Sequence, residues 1–198
     1  MINMVSTIDG KIVSGGRDET VSDLGSAVDH QAMEDLEAAC DAVLVGAGTI
    51  RTAGLGWNPL APVRVVVTSS GNIPAGSKYL TEGQGIVAVP EDAAGVQIEG
   101  VQVWALGRGT VDLPRLLQKL RDKGIERLLA LGGSELNGQL IGLDLVDELF
   151  LTIAPKIKLG RDLPTYAGGD PLDRTKLKSF RLVEHHVAGD EVFLRYRR

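Results

Sequence analysis

Short runs of unbroken apolar residues that stop at glycine constrain this chain more than any other feature. Ala42-Val43-Leu44-Val45 runs into Gly46-Ala47-Gly48, and Leu128-Leu129-Ala130-Leu131 runs into Gly132-Gly133. Apolar runs this short, with no polar alternation, suit strands covered on both faces, as in a parallel sheet. Helix-like segments follow them, so the chain reads as α/β. Further strands are expected over residues 2–8, 63–68, 85–89, 101–106, 127–131 and 148–156. Segments 180–187 and 192–197 flank Ala188-Gly189-Asp190 and read as a C-terminal antiparallel hairpin.

The helices announce their ends. Ser26 with Asp29 three residues later resembles a capping box, followed by Ala32, Met33, Leu36, Ala39 and Cys40 at helical spacing. Asp112 and Pro114 open a helix that buries Leu113, Leu116, Leu117 and Leu120 and stops at Gly124. Thr49 and Ser134 read as N-caps of two shorter helices, and residues 13–25 as a loop. No linker, repeat or low-complexity tract interrupts residues 1–198, which are expected to form one domain.

Composition removes several function classes. Twenty-one basic against 26 acidic residues leave a net charge of −5, which disfavours nucleic acid as a partner. No apolar run approaches the roughly 18 residues of a membrane span, and no signal peptide is seen, so a cytoplasmic protein is expected. One cysteine, Cys40, rules out an internal disulfide framework and a multi-cysteine zinc site. His185 and His186, adjacent on a strand, face opposite sides, so no metal site is expected. No Gly-x-Ser-x-Gly elbow supports a serine hydrolase.

Three places carry candidate chemistry. In Asp41–Thr52 and Leu128–Leu136, strand, small residues and helix start follow one another. That arrangement lets a phosphate approach backbone N–H groups at a helix N-terminus, although a tight turn explains a single Gly-x-Gly equally well. Two such turns can flank one pyrophosphate. Neither is a Rossmann fingerprint or a Walker loop. The turn Thr68-Ser69-Ser70-Gly71 has hydroxyls where an NAD site places an acid, so NADP is easier to accommodate than NAD. The third place is Asp9-Gly10-Lys11, where Asp9 and Lys11 can bind a polar substrate or orient a proton; the alternative is a surface turn.

Ser6–Ile12, Asp41–Thr52, Pro62–Ser70 and Leu131–Gly160, in this order, resemble the reductase domain of riboflavin biosynthesis, which has the dihydrofolate reductase fold. The resemblance implies a three-layer α/β fold with a mostly parallel mixed sheet, and a homodimer. It implies NADPH-dependent reduction of a ribosylamino-pyrimidine 5′-phosphate to the ribitylamino product. Gly46, Ala47, Gly48, Thr49, Ile50 and Ser69 fall at its cofactor positions, as do Gly132, Gly133, Ser134, Glu135 and Leu136. Asp9 and Lys11 fall in its substrate pocket. The zinc deaminase signatures are missing, so deamination is not expected. Glu37 stands where the family has an Arg near the substrate phosphate, and Leu131 where it has a pocket carboxylate. These departures leave open a dihydrofolate- or pterin-like substrate, or an NADP-binding protein without catalysis.

Overall fold

The computed structural model describes residues 1–16, 19, 23–93 and 95–198; Arg17 and Ser22, in the loop expected after Ile12, lie outside them. The elements are β1 (Ile2–Thr7), α1 (Ala27–Ala38), β2 (Ala42–Gly46), α2 (Ala47–Ala53), β3 (Val63–Val67), α3 (Lys78–Thr81), β4 (Gln84–Val89), β5 (Gln102–Ala105), α4 (Leu113–Asp122), β6 (Leu128–Ala130), α5 (Ser134–Gly142), β7 (Glu148–Ala154), β8 (Arg181–Ala188) and β9 (Glu191–Arg197). They form two compact units: Met1–Met33 with Ala130–Arg198, and Glu34–Leu129.

In the contiguous unit, Glu34–Leu129, β2, β3, β4 and β5 pair in parallel in that order. Ala42, Val43, Leu44, Val45, Val65 and Val66 have almost no exposure, as expected of strands covered on both faces. The Asp112 carboxylate accepts the Arg115 N–H at 3.0 Å and caps α4. Leu113, Leu116 and Leu120 are buried, while Leu117 is only half-buried at the margin of that face. The segment between α2 and β3 is held from below by buried polar groups. Arg64, on β3, donates to the carbonyls of Pro59 (2.8 Å), Ala61 (3.2 Å) and Lys78 (3.1 Å). Glu37, at the end of α1, accepts the Leu60 N–H at 2.9 Å. Tyr79 is fully buried and its hydroxyl reaches the carbonyls of Val43 and Val65, both at 3.2 Å.

This arrangement shows where Glu37 lies in its unit. Leu60 precedes the start of β3, and Val63 pairs with Ala42, the first residue of β2. Glu37 therefore serves the entry edge of these strands. Gly46 lies at the exit of β2, roughly 13 Å away along the strand at about 3.3 Å per residue. One oxygen of the Glu37 carboxylate is taken by the backbone of its own unit, and the other, Oε1, is buried without a hydrogen-bond partner.

In the other unit, β1 pairs in parallel with β7, and β7 and β8 both pair antiparallel with β9. The expected C-terminal hairpin is present. Strand β7 ends at Ala154, two residues before the expected Lys156, whose N–H instead turns back to the Ala154 carbonyl at 2.7 Å. Ser26 caps α1, its hydroxyl accepting from Val28 and Asp29 N–H at 3.1 and 3.4 Å. The reciprocal half of the capping box differs. Glu191 on β9, not Asp29, takes the Ser26 N–H (2.8 Å) and also the Ser26 hydroxyl (2.5 Å). Asp29 is buried against the Thr152 hydroxyl, and burial pushes its carboxyl above the usual range.

Two short helices start earlier than expected. Gly46 caps α2 and Gly133 caps α5, both in extended backbone and neither with a side-chain cap. Thr49 and Ser134 thus lie inside their first turns. Helix α3 has no counterpart in the sequence reading, because four residues are too few to show a period.

The Glu37 environment yields a testable asymmetry. Burial, reinforced by nearby Glu34, outweighs the Leu60 N–H and Arg64 and raises its pKa. A folded-state pKa above the unfolded value means that stability falls as pH rises through that window. Glu37→Gln retains an acceptor for Leu60 and removes the buried charge. Its thermal midpoint should gain on the native chain between pH 4 and pH 7, while Glu37→Ala, which also removes the acceptor for Leu60, should lie about 2 kcal/mol below Glu37→Gln at either pH. A constant difference between Glu37→Gln and the native chain across that range contradicts this account.

Candidate active site

Strands β2 and β3 deliver their C-terminal ends side by side, with Gly46 opposite Val67. In parallel α/β sheets this edge is where ligands bind. From it spring α2 and the turn Thr68–Asn72. Of the expected cofactor residues here, Ala47 and Ile50 are buried, Gly46 and Thr49 are half-buried, and Gly48 and Ser69 are exposed. A Cβ built on Gly48 would meet nothing closer than the Arg51 Nη2 at 3.8 Å. The fold itself does not require glycine there. The small residue keeps the first turn of α2 open to close approach, which fits a phosphate-bearing group. The Thr68 hydroxyl accepts the Gly71 N–H at 3.1 Å and shapes the turn, which leaves Ser69 projecting from it.

In the discontinuous unit, β6 ends beside β1, with Ala130 paired to Ile2, and leads through buried Leu131 into the Gly132–Gly133 turn and α5. Gly132 and Leu136 are buried, Gly133 and Ser134 half-buried and Glu135 exposed. The first-turn N–H groups of α5 have no side-chain acceptor, so they suit an anionic ligand group. The flank of α5 is tied to a loop that the sequence reading did not single out. Asn137 donates to the Tyr166 carbonyl at 2.8 Å, and Gly168 donates to the Ser134 carbonyl at 2.9 Å. A Cβ on Gly138 would fall 1.7 Å from the Gly168 carbonyl oxygen, so only glycine admits this approach. The signal was Asn-Gly inside a helix, two poor helix formers together. Asn137 is fully buried and its Oδ1 has no hydrogen-bond partner.

Asp9 sits on the turn after β1. Its carboxylate accepts the Thr7 hydroxyl at 2.6 Å and the N–H groups of Lys158 (3.0 Å) and Leu159 (2.9 Å). The Thr7 hydroxyl first, then the two N–H groups, hold its pKa at about 2. The Lys11 backbone closes the same turn, its N–H on the Thr7 hydroxyl at 2.8 Å and its carbonyl receiving the Thr7 N–H at 2.8 Å. Lys11 also bridges Thr165, and its ammonium lies 3.5 Å from the Leu163 carbonyl. Asp9 and Lys11 thus fasten the 156–165 segment from two sides. A cavity of about 420 Å³ in the same unit is lined by Ile141, Asp144, Val146, Lys178, Phe180 and Arg198 among others, and by none of the expected site residues.

Among the described residues no His, Cys, Asp or Glu cluster could hold a metal, and no helix is long and apolar enough to cross a membrane. Cys40 is buried, in keeping with a place in the core.

The chain is similar to known proteins over almost its whole length. It is 31% identical to a 2,5-diamino-6-ribosylamino-4(3H)-pyrimidinone 5′-phosphate reductase of Methanothermobacter thermautotrophicus, covering 99% of this chain and 96% of the relative. A pyrimidine reductase-like protein of Corynebacterium diphtheriae shares the fold at a TM-score of 0.82 and 19% identity, covering 99% of this chain and 90% of the other. A bifunctional deaminase and 5-amino-6-(5-phosphoribosylamino)uracil reductase of Thermotoga maritima aligns at a TM-score of 0.78 and 26% identity, over 99% of this chain and 55% of its own. With residues 1–194 matching the RibD C-terminal domain, this chain belongs to that family.

Proposed function

We propose that this chain reduces the ribosylamino group of a pyrimidine 5′-phosphate to ribitylamino, with NADPH as the hydride source. The observation that carries the reading is the 31% identity to a reductase of that class across 99% of this chain. The two open turns described above support it, because each leaves backbone N–H groups approachable by phosphate.

When bound, NADPH supplies hydride to C1′ of the ring-opened sugar imine. The task of the protein is alignment and exclusion of water, which needs no nucleophile and no metal. We assign Gly46, Ala47, Gly48, Thr49 and Ile50 to the cofactor through the first turn of α2, with Ser69 toward the adenosine side. Gly132, Gly133, Ser134, Glu135 and Leu136 serve it through the first turn of α5. Asp9, ionised and saturated with hydrogen bonds, is a positioning residue that shapes the substrate side, and Lys11 offers a cation to the polar substrate. The assay is NADPH oxidation with 2,5-diamino- and 5-amino-6-ribosylamino-pyrimidine 5′-phosphates. No turnover on either, with dihydropterins reduced instead, would overturn the substrate assignment.

The homodimer implied by the family is part of the same proposal. Strand β7 offers no edge, since β1 and β9 occupy both of its sides. Strand β8 has one partner, β9, and exposes Leu182, Val183 and Val187. A second copy covering β8 would bury them. Light scattering at micromolar concentration should give twice the chain mass, and β8 carrying Val183→Lys and Val187→Lys should shift it toward monomer.

Two substitutions test the assignments of site residues. Gly48→Val has room for its side chain, so it should change the thermal midpoint by no more than a helix-propensity effect of about 0.5 kcal/mol. NADPH affinity should nevertheless fall at least about tenfold. Retained affinity would remove α2 from the cofactor site. Asp9→Asn should lower the thermal midpoint without altering the shape of the pH–rate profile between about pH 5 and 9, since Asp9 stays ionised throughout that range. An acid limb that disappears in Asp9→Asn would restore a proton-transfer role to this residue.

A further inference from the structure

Arg51 is the one charged side chain in the second half of α2, and its guanidinium leaves the helix to reach the turn after β3. Its Nη1 donates to the Asn72 carbonyl at 3.2 Å, and its Nη2 lies 3.8 Å from where Gly48 would carry a Cβ. The planar fork therefore lies between the open turn of α2 and the Thr68–Asn72 turn. Among the described residues it has no carboxylate partner, and four of its five N–H donors are uncommitted.

The turn it reaches is free of acids. Residues 68–77 read Thr-Ser-Ser-Gly-Asn-Ile-Pro-Ala-Gly-Ser, and Lys78, the next charged group, pairs with Glu82 at 3.1 Å. Ser69 is exposed, and its hydroxyl makes no hydrogen bond among the described residues. In a β-α-β nucleotide site, the end of the second strand faces the adenosine ribose, where an acid selects a free 2′-hydroxyl and an arginine accommodates a 2′-phosphate. Here β2, α2 and β3 form that unit, the acid is replaced by Ser69, and a guanidinium arrives from the helix side.

We propose that Arg51, with the Ser69 hydroxyl, binds the 2′-phosphate of the cofactor and is the residue that makes this chain select NADPH over NADH. The inference rests on the NADPH reading given above. It adds a specificity-determining residue to that reading. A bidentate guanidinium–phosphate contact is charge-assisted and directional, so a lysine in its place keeps the charge and loses the fork.

The test measures binding by titration calorimetry, independent of turnover, with adenosine 2′,5′-bisphosphate and adenosine 5′-monophosphate as probes. The native chain should prefer the bisphosphate at least about tenfold, or about 1.4 kcal/mol. Arg51→Gln should erase most of that preference by weakening the bisphosphate alone, and Arg51→Lys should fall between. Arg51 is exposed, so both variants should match the native thermal midpoint. A preference that survives Arg51→Gln overturns the inference and leaves the NADPH reading standing. Equal weakening of both probes places Arg51 on the 5′-phosphate and also overturns it. A native chain with no preference refutes the NADPH reading and this inference together.

Discussion

Burying a guanidinium and a carboxylate beneath one loop is the constraint on which the contiguous unit depends. Arg64 and Glu37 are 5% and 2% exposed, and neither could remain there without the backbone groups that receive them. Three carbonyls from segment 59–78 receive the guanidinium and the Leu60 N–H receives one Glu37 oxygen, while the other, Oε1, is buried without a hydrogen-bond partner. The loop after α2 is consequently fixed at its far end by polar bonds. At its near end, α2 begins at small residues that impose nothing on a ligand. Rigidity at the strand entries and openness at the strand exits are two halves of one arrangement. Moving segment 59–78 away would leave both groups buried without the backbone that holds them, which costs more than any single hydrogen bond returns.

Much of this was legible in the sequence because the signals were local. The apolar runs at 42–45 and 63–68, the Asp112–Pro114 helix start and the C-terminal hairpin all rest on neighbours within a few residues. The misreadings had two sources, a neighbouring glycine that starts the helix earlier and partners far away in sequence. Thr49 and Ser134 look like caps, yet Gly46 and Gly133 already provide the extended residue before each helix. Asp29 looks like the second half of a capping box, but Glu191 takes that place from 165 residues downstream. For Glu37 the family resemblance alone suggests a place near a substrate phosphate. Its role is set by Leu60 and Arg64, which no spacing rule connects to it. Asp9 stands out beside Gly10 and Lys11, but no local pattern links it to Lys158 and Leu159, whose N–H groups occupy its oxygens.

The two carboxylates of the discontinuous unit show how environment divides similar groups. Asp9 gathers a hydroxyl and two N–H donors, and its proton is held only in strong acid. Asp29 is packed away from water beside Glu191 with a hydroxyl for company, and its proton is held more firmly than usual. The first is suited to holding a loop at every physiological pH. The second is a charge the fold tolerates reluctantly, close to the C-terminal end of β7.

The bond from Ser26 to Glu191 also sets an order of events during synthesis. Segment 34–129 is continuous, so its strands and their polar supports can assemble as soon as that stretch leaves the ribosome. Strand β1 and the start of α1 emerge before that segment, yet β7 and Glu191 come after it. For most of translation the amino-terminal strand has no β7 to pair with and α1 lacks its second cap. Strand β1 is thus made before segment 34–129 and secured after it, and a chain cut short before Glu191 would leave Ser26 without that partner.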